Sequence, residues 1–529
     1  MSETVEYFEL ILKPCSLTYG VAPCMAPPGV PCYDSPATCK SPANFTRGEQ
    51  LVRWCTPSGT ADLSVDAIPS LKSASVTPQK LMPGESMGQR ESLSVSFINH
   101  PHNDVWFDKY LADRGFNPYN QGTFWPKFTA RWPNLKGLEC RHVRGVVGQN
   151  INDMERRYFI VDKTSGPDNN GNFSITAKDA LTLVDNEKST APEISPGLLL
   201  SGISETDITF TLTPTSIGSS YPASGLASIG DEAVRFTRSG DVITLTDRGV
   251  FGSEQRSHET GSTFQMALEF ISVEPSTIIN TILQYTDLPA EYYNLAAWTA
   301  ETETHCGRLY TGRIMKPTGV KTLIDELINQ VGLIFNCDTT TKKISLQVLR
   351  STPALSAYTD DVFLKGSVDV DKNEDARATQ VIFYYGQKNP LKKLDDTENY
   401  QAILNTVYSN IQDALEDAPA SIRKVYSRWI STNNRPAANA VSQLIVARYG
   451  RAPKEISFAL PHHISPQLGA VVSLQTRVIE DAQGLQAPAE PYLITRVEPR
   501  QTSYGVQVQQ LNYGVSAPVG DRIVNIDNP

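Results

Sequence analysis

Val5-Glu-Tyr-Phe-Glu-Leu-Ile-Leu-Lys13 runs directly into Pro14-Cys15-Ser-Leu-Thr-Tyr-Gly20-Val-Ala-Pro-Cys24-Met-Ala-Pro-Pro-Gly-Val-Pro-Cys32-Tyr-Asp-Ser-Pro-Ala-Thr-Cys39-Lys40. The first part reads as a strand. The second cannot be a helix, because its prolines fix φ and remove backbone donors. It is a loop, and it holds four of the chain's eight cysteines within 25 residues. The intervals are eight, seven and six residues. Such thiols can converge on one point. A metal or cluster, a pair of disulfides, or four unrelated thiols would each account for them.

The composition narrows the choice. The 529 residues allow several domains, with a net charge of −10 and a pI near 5.4. That balance argues against a nucleic-acid binder, which normally carries a basic face. There is no apolar run long enough for a membrane helix. The opening Met1-Ser-Glu-Thr-Val-Glu-Tyr7 lacks the basic and apolar regions of a signal peptide. Folding in a reducing cytosol is therefore expected, where clustered cysteines more often mean metal than disulfide.

Zinc sites usually pair short spacings such as Cys-x-x-Cys. The longer, even spacing here leans toward an iron–sulfur cluster, expected as 4Fe–4S, with zinc as the alternative. Cys55 is the nearest substitute ligand. Cys140, Cys306 and Cys337 are isolated and are expected to pack as small apolar groups.

Outward from the loop, residues 1–60 form the N-terminal strand and cysteine loop, and 61–190 a mostly β domain expected to be a barrel. A short strand is expected over Ala61–Ile68. Leu93, Val95 and Phe97 alternate with serines, as on a half-buried strand. Further strands are expected at 141–147, 156–162 and 172–177, the last two joined by a turn over Ser165–Gly171. The aromatic segment Trp106–Phe128 reads as core and subunit contacts rather than a carbohydrate-binding surface.

Residues 191–261 are a small β insertion or arm, with Ser239-Gly240 as a hairpin turn. Residues 262–355 are an α+β unit. Val320, Leu323, Ile324, Leu327, Ile328 and Val331 mark one helix face, closed by Gly332 and followed by a hairpin. Residues 356–514 are a second mostly β region, with helices expected at 397–416 and 436–449. Residues 515–529 read as an irregular tail. The fold class is mainly β with α+β, multidomain, with two β regions flanking the helix-plus-hairpin centre.

Catalytic signatures are not found: no Gly-x-x-x-x-Gly-Lys-Ser/Thr, no Gly-x-Ser-x-Gly, no His-Glu-x-x-His. The chain reads as no enzyme. His100-Pro-His102 with Asp104 could hold a metal but reads better as a polar turn. His462-His463 reads as a solvated turn, and Asp360-Asp361 and Asp395-Asp396 as polar loops.

Cys15–Cys24, Cys32-Tyr33 and Thr38-Cys39-Lys40-Ser-Pro-Ala-Asn44-Phe45 together resemble the N-terminal signature of a family of tail proteins from long-tailed bacteriophages. Phe97–Tyr110, Gln121–Phe128 and Phe173–Asp179 resemble the same family. The resemblance is strongest over about residues 12–180. It implies a central baseplate or tail-tip hub, similar to the lambda tail tip protein L family. That hub would be a homotrimer whose chains each supply two tube-like β-barrel domains to a pseudo-sixfold ring. The implied partners are the tail tube, the distal tail protein, the tape measure protein and tip or fibre proteins. DNA would pass through the lumen without specific binding. Carried over residue by residue, Cys15, Cys24, Cys32 and Cys39 would ligate an iron–sulfur cluster, while Cys55 has no counterpart. In the lambda tail tip protein L family the cysteine module lies near the C-terminus, whereas this one lies near the N-terminus. The alternatives are a tail-associated cell-wall or polysaccharide hydrolase, marked by a carboxylate pair in a cleft, and a receptor-binding protein using the aromatic segment and the 191–261 arm.

Overall fold

The computed structural model describes residues 4–27, 32–57, 64–115, 117, 119–186, 188–350, 352–409, 419–461, 463–500, 503–511 and 522–527. The chain divides into two units. The first comprises 1–79, 90–182 and 337–343, and the second comprises 80–89, 183–336 and 344–529.

The first unit is one strongly bent sheet built from β1 (Thr4–Leu12), β2 (Gln50–Cys55), β3 (Ile68–Pro69), β4 (Leu71–Thr77), β5 (Ser92–Phe97), β6 (Glu139–Val146), β7 (Glu155–Ser165) and β8 (Phe173–Lys178). The strand order is β3-β2-β1-β6-β7-β8-β5-β4. Its two edge strands are separated in sequence by Ser70 alone. One residue cannot span a flat sheet of this width, so the sheet must curl until its edges nearly meet. The expected barrel is therefore a nearly closed one.

The alternation in β5 does what its pattern predicts. Leu93, Val95 and Phe97 are fully buried and stand opposite Ala177, Ile175 and Phe173 of β8. The interior is filled by α1 (Phe124–Arg131), which buries Phe124, Trp125 and Phe128. Trp125 stacks on Trp54 at 5.7 Å and on Phe173 at 4.3 Å. The sequence reading did not mark this helix, because Pro126 sits inside it. Pro126 falls in the first turn, where backbone N–H groups have no helical partner to lose. Two of the exposed donors are met from outside: Phe124 N–H donates to the His100 carbonyl at 2.9 Å, and Trp125 N–H to Asn99 Oδ1 at 3.1 Å. Phe107, Phe124, Trp125 and Phe128 of the aromatic segment are thus core, as expected, while Trp106 is 47% and Tyr119 95% exposed.

The second unit holds three parts. β9 (Thr209–Thr213), β10 (Ser224–Ile229), β11 (Glu232–Ser239), β12 (Val242–Asp247) and β13 (Phe264–Met266) form a small sheet in the order β9-β12-β11-β10-β13. An α+β part follows: β14 (Leu268–Val273) pairs with β15 (Tyr310–Ile314), beside α2 (Pro275–Leu283), α3 (Leu295–His305) and α4 (Val320–Val331). All six apolar residues of the α4 stripe are buried, and Gly332 caps the helix at φ 78°, a conformation open to glycine without strain. The hairpin of β16 (Leu333–Asp338) and β17 (Lys343–Val348) comes next, its tip belonging to the first unit.

The third part has two sheets. β18 (Ser356–Tyr358), β19 (Asp369–Lys372), β23 (Lys454–Pro461), β24 (Val471–Leu474), β25 (Glu490–Pro499) and β26 (Ser503–Gln510) pair in the order β18-β24-β25-β26-β23-β19. β20 (Gln380–Gln387), β21 (Tyr400–Ser409), β22 (Ile422–Tyr426) and β27 (Arg522–Asp527) pair in the order β22-β20-β21-β27. α5 (Arg435–Tyr449) is the helix expected at 436–449.

Three expectations are corrected. The helix expected over 397–416 is strand β21 over Tyr400–Ser409, and 410–418 lie outside the described residues. Tyr400, Ile403, Leu404 and Val407 have helical spacing, but pairing with β20 and β27 on either side overrides it. The strand expected over Ala61–Ile68 reduces to Ile68–Pro69, with 61–63 outside the described residues. The tail is not wholly irregular, since Arg522–Asp527 pairs antiparallel with β21.

Trp125→Ala should lower the unfolding free energy by about 3–5 kcal/mol, as expected for emptying a large aromatic site. Trp106→Ala should change it by less than about 1 kcal/mol. Urea titrations of the two variants check this; equal midpoints would contradict the assignment of Trp125 to the core.

Candidate functional site

Cys15, Cys24, Cys32 and Cys39 line one small cavity, together with Tyr19, Asp34 and Lys40. All four are free thiols and partly exposed. The loop enters from β1 and is closed by backbone bonds across its neck. Cys15 N–H donates to the Asp34 carbonyl at 2.6 Å and Gly48 N–H to the Pro14 carbonyl at 2.6 Å. Backbone N–H groups point at two of the sulfurs: Asp34 N–H at Cys32 Sγ (3.4 Å) and Ser41 N–H at Cys39 Sγ (3.4 Å). Each lies two residues after its cysteine. Such donors stabilise charge on sulfur, as thiolate ligands require. Burial nonetheless pushes the Cys32 thiol up, with the neighbouring Asp34 carboxylate adding to the rise. A cationic centre would reverse that balance.

The loop is docked on the segment between β5 and α1. Lys109 Nζ pairs with Asp34 at 3.0 Å and donates to the Leu17 carbonyl at 3.1 Å. Arg114 donates to the Cys32 carbonyl and pairs with Asp108. The Tyr33 ring meets two guanidiniums, Arg114 at 4.1 Å and Arg131 at 3.9 Å. Arg131, on α1, also binds Asp104 at 2.9 Å, and Lys127 binds the same carboxylate at 2.8 Å. Burial alone would raise the Asp104 carboxyl; the Lys127 ammonium and Arg131 guanidinium hold it well below the usual range. A polar cavity of about 370 Å3 borders Tyr33, Asp104 and Arg131.

The remaining candidates fall apart as sites. His102 Nδ1 accepts from Asp104 N–H at 2.9 Å, and the His100 and His102 rings stack at 5.5 Å. This is the polar turn expected, and it serves to seat α1. Cys55 packs among Val5, Tyr7, Val143 and Met154 and does not line the thiol cavity. Cys140, Cys306 and Cys337 are buried, as expected. Asp360 accepts from Thr476 Oγ1 (2.6 Å) and Arg477 N–H (3.0 Å), which makes it a loop staple. His462 lies outside the described residues.

The donor set fits a thiophilic centre: four sulfurs around one cavity, two of them with N–H donors. Cys15, Cys24, Cys32 and Cys39 would hold it. The cavity is only about 20 Å3, about the size of one water, so the loop must widen to take a cluster. No helix or paired strand runs through the described residues between Cys15 and Ser35, so little regular hydrogen bonding opposes widening. Among the described residues, no three His, Cys, Asp or Glu side chains are grouped closely enough to hold a single metal ion.

Sequence reasoning missed the cations that dock the loop, since Lys109, Arg114 and Arg131 carry no spacing signal. It also missed Asp179, which is fully buried and accepts from Glu91 N–H and Leu181 N–H, each at 3.1 Å. Burial pushes its carboxyl up to about 7 against the pull of Arg90.

No protein-family model matches the chain, and no curated protein matches it. Several solved structures are similar at low identity. The 43 kDa tail protein of prophage MuSo2 from Shewanella oneidensis is 10% identical, with 84% of this chain and 98% of that chain covered at a TM-score of 0.37. The prophage tail protein gp18 from Listeria monocytogenes is 9% identical, with 83% and 89% covered at 0.36. A chain of the phage P2 baseplate in its activated conformation with Ca is 7% identical, with 97% and 100% covered at 0.29.

Arg114→Ala should speed alkylation of Cys32 in metal-free protein by about 5–30-fold, the effect of losing 1–2 kcal/mol of local order; an unchanged rate would show that the loop is held without it. Asp179 keeps its proton up to about pH 7 in the folded chain but loses it near 3.9 when unfolded. Its contribution is therefore fully present below about pH 4 and lost as pH rises through about 7. Asp179→Asn should flatten that part of the decline in urea midpoint; parallel curves for variant and wild type would contradict it.

Proposed function

We propose that this chain is a structural, non-catalytic protein of a bacteriophage tail: a homotrimeric hub that closes the tail tube. The β regions at 61–190 and 356–514 would supply the two ring-forming domains of each chain. The hub would join the tube and distal tail protein to the tape measure protein and to tip or fibre proteins, and gate DNA ejection through a neutral or acidic lumen. Like charge there lets DNA pass without phosphate contacts.

One observation carries this reading. Two separate stretches that bear the sequence resemblance, Cys15–Cys24 and Phe97–Tyr110, fold onto each other where Tyr19 N–H donates to the Tyr110 hydroxyl at 2.9 Å and Lys109 Nζ donates to the Leu17 carbonyl at 3.1 Å. A likeness spread over unrelated surfaces would not be expected to pack as one module. The net charge of −10 agrees with an acidic ring.

Within the hub, Cys15, Cys24, Cys32 and Cys39 would hold an iron–sulfur cluster that staples the loop. A single zinc draws four sulfurs to about 2.3 Å from one point. A 4Fe–4S cluster takes one thiolate per iron and leaves them further apart around its outside. When bound, the group would supply metal–thiolate bonds that fix a loop with little core of its own.

Anaerobically purified protein should contain about four iron per chain and have a native mass three times the 58.2 kDa chain. Serine at Cys15, Cys24, Cys32 or Cys39 should abolish iron binding, and serine at Cys55 should not. One zinc per chain would overturn the cluster, and a monomeric native mass would overturn the hub.

A further inference from the structure

We propose that a cavity in the second unit binds a phosphorylated sugar. The cavity holds about 490 Å3, within the range of small-ligand sites. Arg313, Lys388 and Arg428 line it, and no described Asp or Glu does.

The positive charge in its walls exceeds what its neighbours neutralise. Glu269 pairs with Arg313 at 2.7 Å and also with Arg235 at 3.1 Å, so one carboxylate serves two guanidiniums. Glu326 pairs with Arg428 at 2.9 Å. Lys388 is exposed, and its Nζ donates to the Glu398 carbonyl at 3.0 Å, which is polar but uncharged. Three lining cations thus face two carboxylates, one of which is shared with Arg235 outside the lining. A surplus of positive charge beside a cavity with no acidic wall among the described residues attracts an anion, and phosphate is the common one near neutral pH.

The rest of the lining argues for more than bare phosphate. A single phosphate would leave most of this volume to water. Gln387, Gln401, Ser431 and Thr432 add amide and hydroxyl groups, which can both donate to and accept from sugar hydroxyls. Ile430 and Pro390 give apolar wall for the C–H faces of a ring.

The backbone is tightly packed at one wall of this cavity. Gly386, at the end of β20, has φ +70°, and a Cβ there would lie 2.4 Å from Thr432 Oγ1. Only glycine lets the strand end pass this close while Gly386 N–H bonds the Ile430 carbonyl at 2.9 Å. Phe251 forms another wall beneath the Arg313 guanidinium, 3.9 Å from its ring centroid, which fixes the direction of that charge.

Isothermal titration of the full chain at low salt tests the proposal, with glucose 6-phosphate, glucose and inorganic phosphate as probes. Glucose 6-phosphate should bind, inorganic phosphate at least about tenfold more weakly, and glucose not measurably. Lys388→Ala should weaken glucose 6-phosphate about tenfold, as expected for loss of one charge-assisted contact. Thr432→Ala should weaken it without changing phosphate affinity. Thermal melts of both variants confirm that they are folded. No binding of glucose 6-phosphate at millimolar concentration would overturn the proposal. So would equal affinities for phosphate and glucose 6-phosphate, or wild-type affinity in a folded Lys388→Ala variant.

Discussion

The Arg131 guanidinium lies between the Tyr33 ring, at 3.9 Å, and the Asp104 carboxylate, at 2.9 Å. It is nearly buried, so a cation left there without these contacts would be costly. One side of this arginine belongs to α1 and hence to the aromatic core of the barrel-like sheet. The other holds the residue that follows Cys32. The thiol loop is therefore tied to α1 through Arg131, with Arg114 and Lys109 adding contacts to Tyr33, Cys32 and Asp34.

A loop of this kind needs such support. Between Cys15 and Ser35 its described residues form no helix or paired strand, and its prolines and glycines pack little apolar surface. Fixing its backbone costs about 1–2 kcal/mol per residue. Ion pairs, two cation–π contacts and neck hydrogen bonds offset part of that. They are also polar and partly exposed, and so individually modest. Metal–thiolate bonds would supply most of the remaining stabilisation. Under the proposed function, this division of labour would make the cysteines a clamp rather than a reaction centre.

The sequence made legible what rests on local pattern. The alternation of Leu93, Val95 and Phe97 located a barrel strand, and the stripe from Val320 to Val331 located a helix down to its Gly332 cap. It did not reveal what depends on distant partners. α1 was hidden by Pro126, whose missing donor costs no helical bond because it falls in the first turn, while His100 and Asn99 accept from the N–H groups of Phe124 and Trp125. β21 imitated a helix because Tyr400, Ile403, Leu404 and Val407 fall at helical spacing, and only its neighbouring strands decide otherwise. The four thiols were visible as a group, and the structure brings them to one cavity. The cations that dock their loop were not visible, since Lys109, Arg114 and Arg131 follow no period. The basic cavity around Arg313, Lys388 and Arg428 was also out of reach, because its residues come from β15, the end of β20 and the segment before α5.

The central claim is that the four loop cysteines are joint ligands of a polynuclear centre. X-ray absorption at the iron edge on anaerobically isolated full-length protein tests it most directly. The account predicts a sulfur shell together with a short iron–iron shell, both lost when Cys32 is replaced by serine. A metal bound by sulfur with no metal–metal shell, or iron that persists unchanged in the Cys32→Ser variant, would contradict it.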